Sequence, residues 1–284
     1  MKSSIIFHNI KGGTGKTTLS LMTAEYFYHM GYKTIVIDLD YQQANACQYF
    51  ASQESLSNRS VTLLDILEFG YENMEGLLNN DVDSNIQMGR MLNDGIVVKE
   101  TTDSSIAFGC IASNLELVNI ETKLKNNLIK TKYLLKIIKK SLYSMFDIII
   151  IDTPPNFDGL VQSAYFGFDN LLIVTDVGEF SFTGISKSLS NYRMSKIENE
   201  QLHLIGIVVN KYTHNNYSEV FFDALKNYYP EEVIPNPLYL YTDYQESMMT
   251  RQFVLSKDYK TKNKNSKKAL KTILSDIEKR LSKK

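Results

Sequence analysis

Along this chain, apolar runs of four to eight residues alternate with longer stretches whose apolar positions recur at helical spacing. That alternation predicts an α/β fold with a mostly parallel central sheet and helices on both faces. Strands are predicted at residues 4–10, 34–39, 105–111, 146–151, 170–175, 203–209 and 232–234, and helices at 16–30, 61–68, 121–142, 160–166, 183–197, 217–228, 244–251 and 266–281. Ile148, Ile149, Ile150 and Ile151 form an unbroken apolar run, the pattern of a strand buried on both faces and hence central. Residues 71–104 are rich in Asn and Asp and poorly periodic, and they read as a variable surface insertion. With no repeat and no Gly/Ser-rich or Pro-rich linker, residues 1–284 are expected to form a single domain.

Composition narrows the class. Of 284 residues, 43% are hydrophobic, enough for a full-sized core, and no apolar run reaches the roughly 18 to 20 residues of a membrane span. The first apolar stretch, Ile5, Ile6 and Phe7, is too short for a signal peptide, so a cytoplasmic location is expected. Cys47 and Cys110 are too few for a disulfide framework and read as small buried hydrophobes. The four histidines have no metal-ligand spacing.

The net charge of −1 hides an asymmetry that bears on partners. Residues 257–284 hold eleven basic and three acidic side chains, a net of +8, which leaves the preceding residues at −9. A second basic run comprises Lys123, Lys125, Lys130, Lys132, Lys136, Lys139 and Lys140. Either run suits a polyanion.

The chemistry-bearing segment follows the first strand directly. Lys11, Gly12, Gly13, Thr14, Gly15, Lys16, Thr17 and Thr18 fit a phosphate-loop pattern in all but its first glycine, and they open a helix. Glycines let backbone N–H groups close around a polyphosphate, and the helix N-terminus adds its positive dipole end. Lys16 reaches the outer phosphates, and the Thr17 hydroxyl suits magnesium. The spacing does not give the G-x-G-x-x-G of a dinucleotide fold.

With Asn9 ahead of it, the stretch from Lys11 to Thr18 resembles the deviant Walker A motif of the ParA/MinD ATPases, a P-loop NTPase family marked by this extra lysine. The resemblance implies that Lys11 reaches across a nucleotide-sandwich homodimer to the partner's phosphates. Asp38, Leu39, Asp40, Gln42 and Asn45 are similar to the family's first switch segment, although Tyr41 stands in place of the usual Pro. That similarity implies that Asp40 orients the attacking water. Phe146 through Pro155 resembles the Walker B and second switch segment, with Asp152 at the end of the central strand. The implied magnesium set is Thr17, Asp40 and Asp152. Asn210, at the end of a later strand, stands where the family contacts adenine; Pro235 lies in a stretch that, with residues 244–247, resembles its base-contacting loop.

Taken together, the resemblance implies an ATPase using ATP and Mg2+. It would dimerise on ATP, bind double-stranded DNA without sequence preference, and drive plasmid or chromosome partition as a ParB-like centromere-binding protein stimulates hydrolysis. A nucleoid-associated location, with no stable membrane association, goes with that reading. The alternative is a MinD-like membrane-cycling ATPase, since Leu270, Ile273, Leu274, Ile277 and Leu281 make an apolar stripe on a basic C-terminal helix. An electron-transfer relative would need cysteines near Asp152, and none lies between Asp147 and Lys284.

Overall fold

The computed structural model describes residues 1–43, 46–52, 56, 59–99 and 108–282. Asn45, the first residues of the strand expected at 105–111, Lys283 and Lys284 lie outside the described residues. Strands β1 (Ser3–His8), β2 (Thr34–Asp38), β3 (Ile96–Val98), β4 (Phe108–Ile111), β5 (Ile148–Asp152), β6 (Asn170–Asp176) and β7 (His203–Asn210) form one sheet in the order β3-β4-β2-β5-β1-β6-β7. All neighbours are parallel except β3 with β4. The four-isoleucine strand β5 sits in the middle, and its pleat divides it between two cores, Ile149 and Ile151 on one face, Ile148 and Ile150 on the other.

On the first face pack α2 (Leu63–Glu72), α3 (Met74–Leu78), α4 (Val82–Gly95), α5 (Leu117–Lys125), α6 (Leu128–Leu142), α7 (Gly159–Gly167), α8 (Ser181–Glu198) and α9 (Asn216–Tyr228). On the second lie α1 (Lys16–His29), α10 (Thr242–Thr250) and α11 (Ser266–Leu281). The apolar stripe of α11 is spent on this second core, with Leu270, Ile273, Leu274 and Ile277 fully buried. Arg280 pins the same helix to the sheet by donating to the carbonyls of Ile205, Glu232 and Val233 at 3.0, 3.1 and 3.1 Å. No helix among the described residues is long and apolar enough to cross a membrane.

Within the stretch read as a surface insertion, residues 74–98 hold α3, α4 and the edge strand β3, with Met74, Leu77, Met88 and Leu92 as buried anchors. Three expectations are corrected. The helix expected at 121–142 is two helices, because Asn127 breaks it and caps α6 by accepting the Lys130 N–H. The strand expected at 232–234 contributes one bridge, Val233 beside Ile207. Cys47 and Cys110 are not separate thiols. β4 lies beside β2, which brings Cys110 against the turn Ala46–Tyr49, and the two cysteines are disulfide-bonded with their Cα atoms 5.8 Å apart.

Candidate nucleotide-binding site

Parallel strands deliver their C-terminal residues to one edge, and here that edge collects Asp38, Asp152, Asp176 and Asn210 around the loop after β1. A cavity of about 570 Å³ opens there, lined by Gly13 through Thr18, Asp40, Pro155, Asn210 and the Leu238–Tyr241 segment. Gly13 and Gly15 hold φ of 72° and 88°, a left-handed conformation that favours glycine. At Gly15 a side chain has no room as well, since a Cβ would fall 2.2 Å from the Asn210 Nδ2. α1 then starts without a side-chain cap, so its first N–H groups face the loop's interior as an anion site. The Thr14 hydroxyl is buried there without a protein partner.

Lys16 is 6% exposed and its Nζ donates to the carbonyls of Asn9 and Lys11, each at 3.3 Å. Burial lowers its pKa, with Asp152 and Asp40 pulling the other way. The Thr17 hydroxyl donates to Asp152 Oδ2 at 2.6 Å, while Asp152 Oδ1 is buried with no partner. The Asp152 carboxyl is pushed up to about 7, chiefly by burial, against the hydroxyl of Thr17 and the charge of Lys16. A hydroxyl, an orphaned carboxylate oxygen and a raised carboxyl fit a hard divalent cation. Among the described residues no group of three His, Cys, Asp or Glu side chains could hold a metal ion, whereas magnesium characteristically takes one or two carboxylates plus phosphate oxygens.

The two carboxylates after β2 divide their work. Asp38 is fully buried and accepts the N–H groups of Asp40 and Ala46 at 3.0 and 3.1 Å, organising the turn. Burial, and Asp152 beside it, raise its pKa. Asp40 lines the cavity and accepts the N–H groups of Gln42 and Gln43, both at 3.2 Å. Asp38 does not line the cavity.

Lys11, Gly12, Asp152 and Pro235 do not line the cavity. Lys11 Nζ is turned to Asp176 Oδ1 at 2.6 Å and Ser181 Oγ at 3.1 Å, in a berth where Gly178 leaves room for it. Gly12 packs on Pro155. The wall expected of Pro235 is built by Tyr239 and Tyr241, whose rings stack 5.9 Å apart. Asn210 turns its amide to the protein, donating to the Thr14 carbonyl and accepting the Lys211 N–H, both at 2.8 Å. His8 stands behind the loop with Nδ1 3.0 Å from the Thr153 hydroxyl and Nε2 unpartnered, and burial, helped by Lys16, pushes it down to about 3. Sequence reasoning missed Asp176, Ser181, Lys211 and the two tyrosines. A carboxylate closing β6 as Asp152 closes β5 was the available signal for Asp176.

The basic runs separate in space. Lys123 pairs with Glu68, Lys125 with Asp158, Lys132 with Glu198 and Lys139 with Asp169; Lys130 donates to the Tyr71 carbonyl and Lys140 to Asn80. Four of the seven lysines of that expected DNA face are thus ion-paired. In the C-terminal run, Lys267 is bound to the carbonyls of Ser256 and Tyr259 and Lys262 to Glu246, whereas Lys257, Lys260, Lys264, Lys268 and Lys271 are exposed.

Residues 2–204 match the AAA domain family. The chain belongs to that family. Its relatives include proteins named for the ParA family and for cell division. The cell division protein PomZ of Myxococcus xanthus is 25% identical over 93% of this chain and 75% of its own length, and the virulence plasmid ParA family protein pGP5-D of Chlamydia trachomatis is 26% identical over 81% and 77%. Among solved structures, a putative plasmid partition protein of Borrelia burgdorferi bound to AMPPNP superposes with a TM-score of 0.70 at 22% identity, covering 98% of this chain and 99% of that one. This AAA-domain chain therefore shares the fold of P-loop ATPases; its phosphate loop lies within the matched residues, and the cavity wall at Asn210 and Leu238–Tyr241 lies beyond them.

Proposed function

We propose that this chain is an ATP-dependent partition ATPase whose ATP-bound form is a homodimer that binds DNA and is reset by partner-stimulated hydrolysis. The observation that carries the reading is the placement of Lys11, which stands at the rim of the phosphate loop yet does not line the cavity of its own subunit. A lysine so placed suits phosphates held by a second copy facing it. Within one subunit, the loop amides and Lys16 grip the polyphosphate, Thr17 and Asp152 hold magnesium, and Asp40 aligns a water for in-line attack. Magnesium, when bound, neutralises charge on the phosphates. Tyr239 and Tyr241 offer a flat apolar wall to a base.

DNA is the cargo surface we assign to Lys257, Lys260, Lys264, Lys268 and Lys271. Lysines contact phosphate as point charges, which suits binding without sequence preference. The membrane alternative loses its support, because the apolar stripe of α11 is buried against the sheet. Relatives named for cell division and for a plasmid ParA protein are consistent with a positioning role.

Light scattering with ATP and magnesium, paired with co-sedimentation on DNA and on anionic liposomes, tests the reading. Wild type should dimerise and then pellet with DNA only. Lys16→Ala should do neither, and Lys11→Ala should bind ATP without dimerising. A Lys11→Ala protein that dimerises normally, or ATP-dependent pelleting with liposomes alone, would overturn it.

A further inference from the structure

We infer that Lys211 is a positioning residue of the nucleotide site, one that holds the phosphate loop open for the β-phosphate by anchoring the Gly13 carbonyl. The inference rests on the phosphate-loop reading above and adds to it a residue from the end of the edge strand β7.

The Lys211 ammonium donates to the Gly13 carbonyl at 2.6 Å, next to the Asn210 amide that donates to the Thr14 carbonyl at 2.8 Å. Two successive carbonyls of the loop are thus tied outward, toward the end of β7. A trans peptide is planar, with its N–H opposite its C=O. Drawing the carbonyls of Gly13 and Thr14 outward therefore turns the N–H groups of Thr14 and Gly15 toward the loop's interior, where a phosphate is gripped. Free peptides of a loop containing three glycines would sample both orientations.

The backbone of Lys211 has been bent to this task. Its φ is +54°, an uncommon value for a residue with a side chain. Both neighbours keep it there. Asn210 accepts the Lys211 N–H in its own side chain, and Tyr212 is bonded on both sides, its N–H to the Leu238 carbonyl at 3.0 Å and its carbonyl to the Leu240 N–H at 2.9 Å. A conformation sustained at some cost, in an exposed residue whose ammonium reaches a cavity-lining glycine, points to function at that site.

The clamp acts on the cradle and not on the γ-phosphate, so it serves ATP and ADP alike. Losing a charge-assisted hydrogen bond of this kind should weaken binding of both nucleotides about tenfold. The test is calorimetry of ADP and ATP, each with magnesium, on wild type, Lys211→Met, Lys211→Arg and Lys211→Gly, with the melting temperature of each ligand-free protein. Lys211→Met is expected to lose the same factor for both nucleotides and to raise KM more than it lowers kcat. Lys211→Arg, which can still donate to the Gly13 carbonyl, is expected to recover most of the affinity. Lys211→Gly relieves the positive φ, so it should melt no lower than wild type and still bind weakly, which separates positioning from stability. Wild-type affinity in both Lys211→Met and Lys211→Gly would overturn the clamp, and a loss for ATP without one for ADP would replace it with direct γ-phosphate contact. Should Lys16→Ala also bind ATP normally, the phosphate-loop reading itself would be what failed.

Discussion

Replacing Asp176 with Ala should make the ATP-bound dimer form more readily. Lys11 is held in its own subunit by the Asp176 carboxylate at 2.6 Å and the Ser181 hydroxyl at 3.1 Å, and it must leave both to act across an interface. The two side chains of the ion pair are 24% and 20% exposed. A partly exposed pair contributes at most about 1 kcal/mol, and a two-fold dimer breaks two of them, so the substitution should favour dimerisation by about 1 to 2 kcal/mol. That corresponds to roughly a fivefold to thirtyfold lower protein concentration at half-dimerisation. Sedimentation velocity over a protein dilution series, with saturating ATP and magnesium, measures it directly. Asp176→Asn should shift the midpoint less, because an amide still accepts from the ammonium. A dimer weakened by Asp176→Ala would refute the reasoning, for it would mean that Asp176 presents Lys11 rather than restrains it.

Four further outcomes are expected. Gly15→Ala should reduce ATP affinity at least tenfold by calorimetry, because its Cβ would displace the Asn210 amide and a side chain at this φ costs about 1–2 kcal/mol. Asp40→Ala should retain ATP binding and dimerisation while losing most phosphate release, since a water-aligning carboxylate acts in the transition state. Changing Lys264, Lys268 and Lys271 together to Glu should weaken DNA binding and flatten its salt dependence in fluorescence anisotropy, by a slope of about 0.9 for each DNA phosphate no longer neutralised, whereas Glu at Lys123 and Lys132 should leave both unchanged. His8, held neutral with its pKa pushed down from 6.5 to about 3, contributes stability that is present above pH 6.5 and is lost as pH falls toward 3. Between pH 6.5 and 4.5 that loss is roughly 2–3 kcal/mol, and urea unfolding of His8→Leu should lack it.

What the sequence disclosed was local. The four isoleucines of β5 carry their burial in their own pattern, and the phosphate loop is contiguous, so both could be read without knowing the rest of the chain. Asp38 and Asp40 each accept two backbone N–H groups, and that only Asp40 lines the cavity is visible only in three dimensions. The partners of the lysines were hidden for the same reason. Lys123, Lys132 and Lys139 meet their acids 55, 66 and 30 residues away, a pairing that charge counting cannot find. Between residues 71 and 99 the buried anchors are sparse among Asn and Asp, and a helix that buries only Met88, Leu92 and Gly95 leaves little periodicity to detect. Pro235 shared a stretch with the true cavity wall but stands three residues short of it.

The anchoring of α11 decides how its lysines can be studied. Five apolar side chains of this helix are buried in the second core, and burying each contributes about 1.5–3 kcal/mol, so together they account for about 10 kcal/mol, as much as a typical domain's whole margin of stability. Arg280 adds three bonds to the carbonyls of Ile205, Glu232 and Val233. Deleting the last twenty residues would thus expose the underside of β7 and cost the fold itself, and any drop in DNA binding in such a truncation would report unfolding. The outward lysines share a scaffold with the nucleotide pocket, so charge can be subtracted from them one residue at a time, but the helix that carries them cannot be treated as a detachable tail.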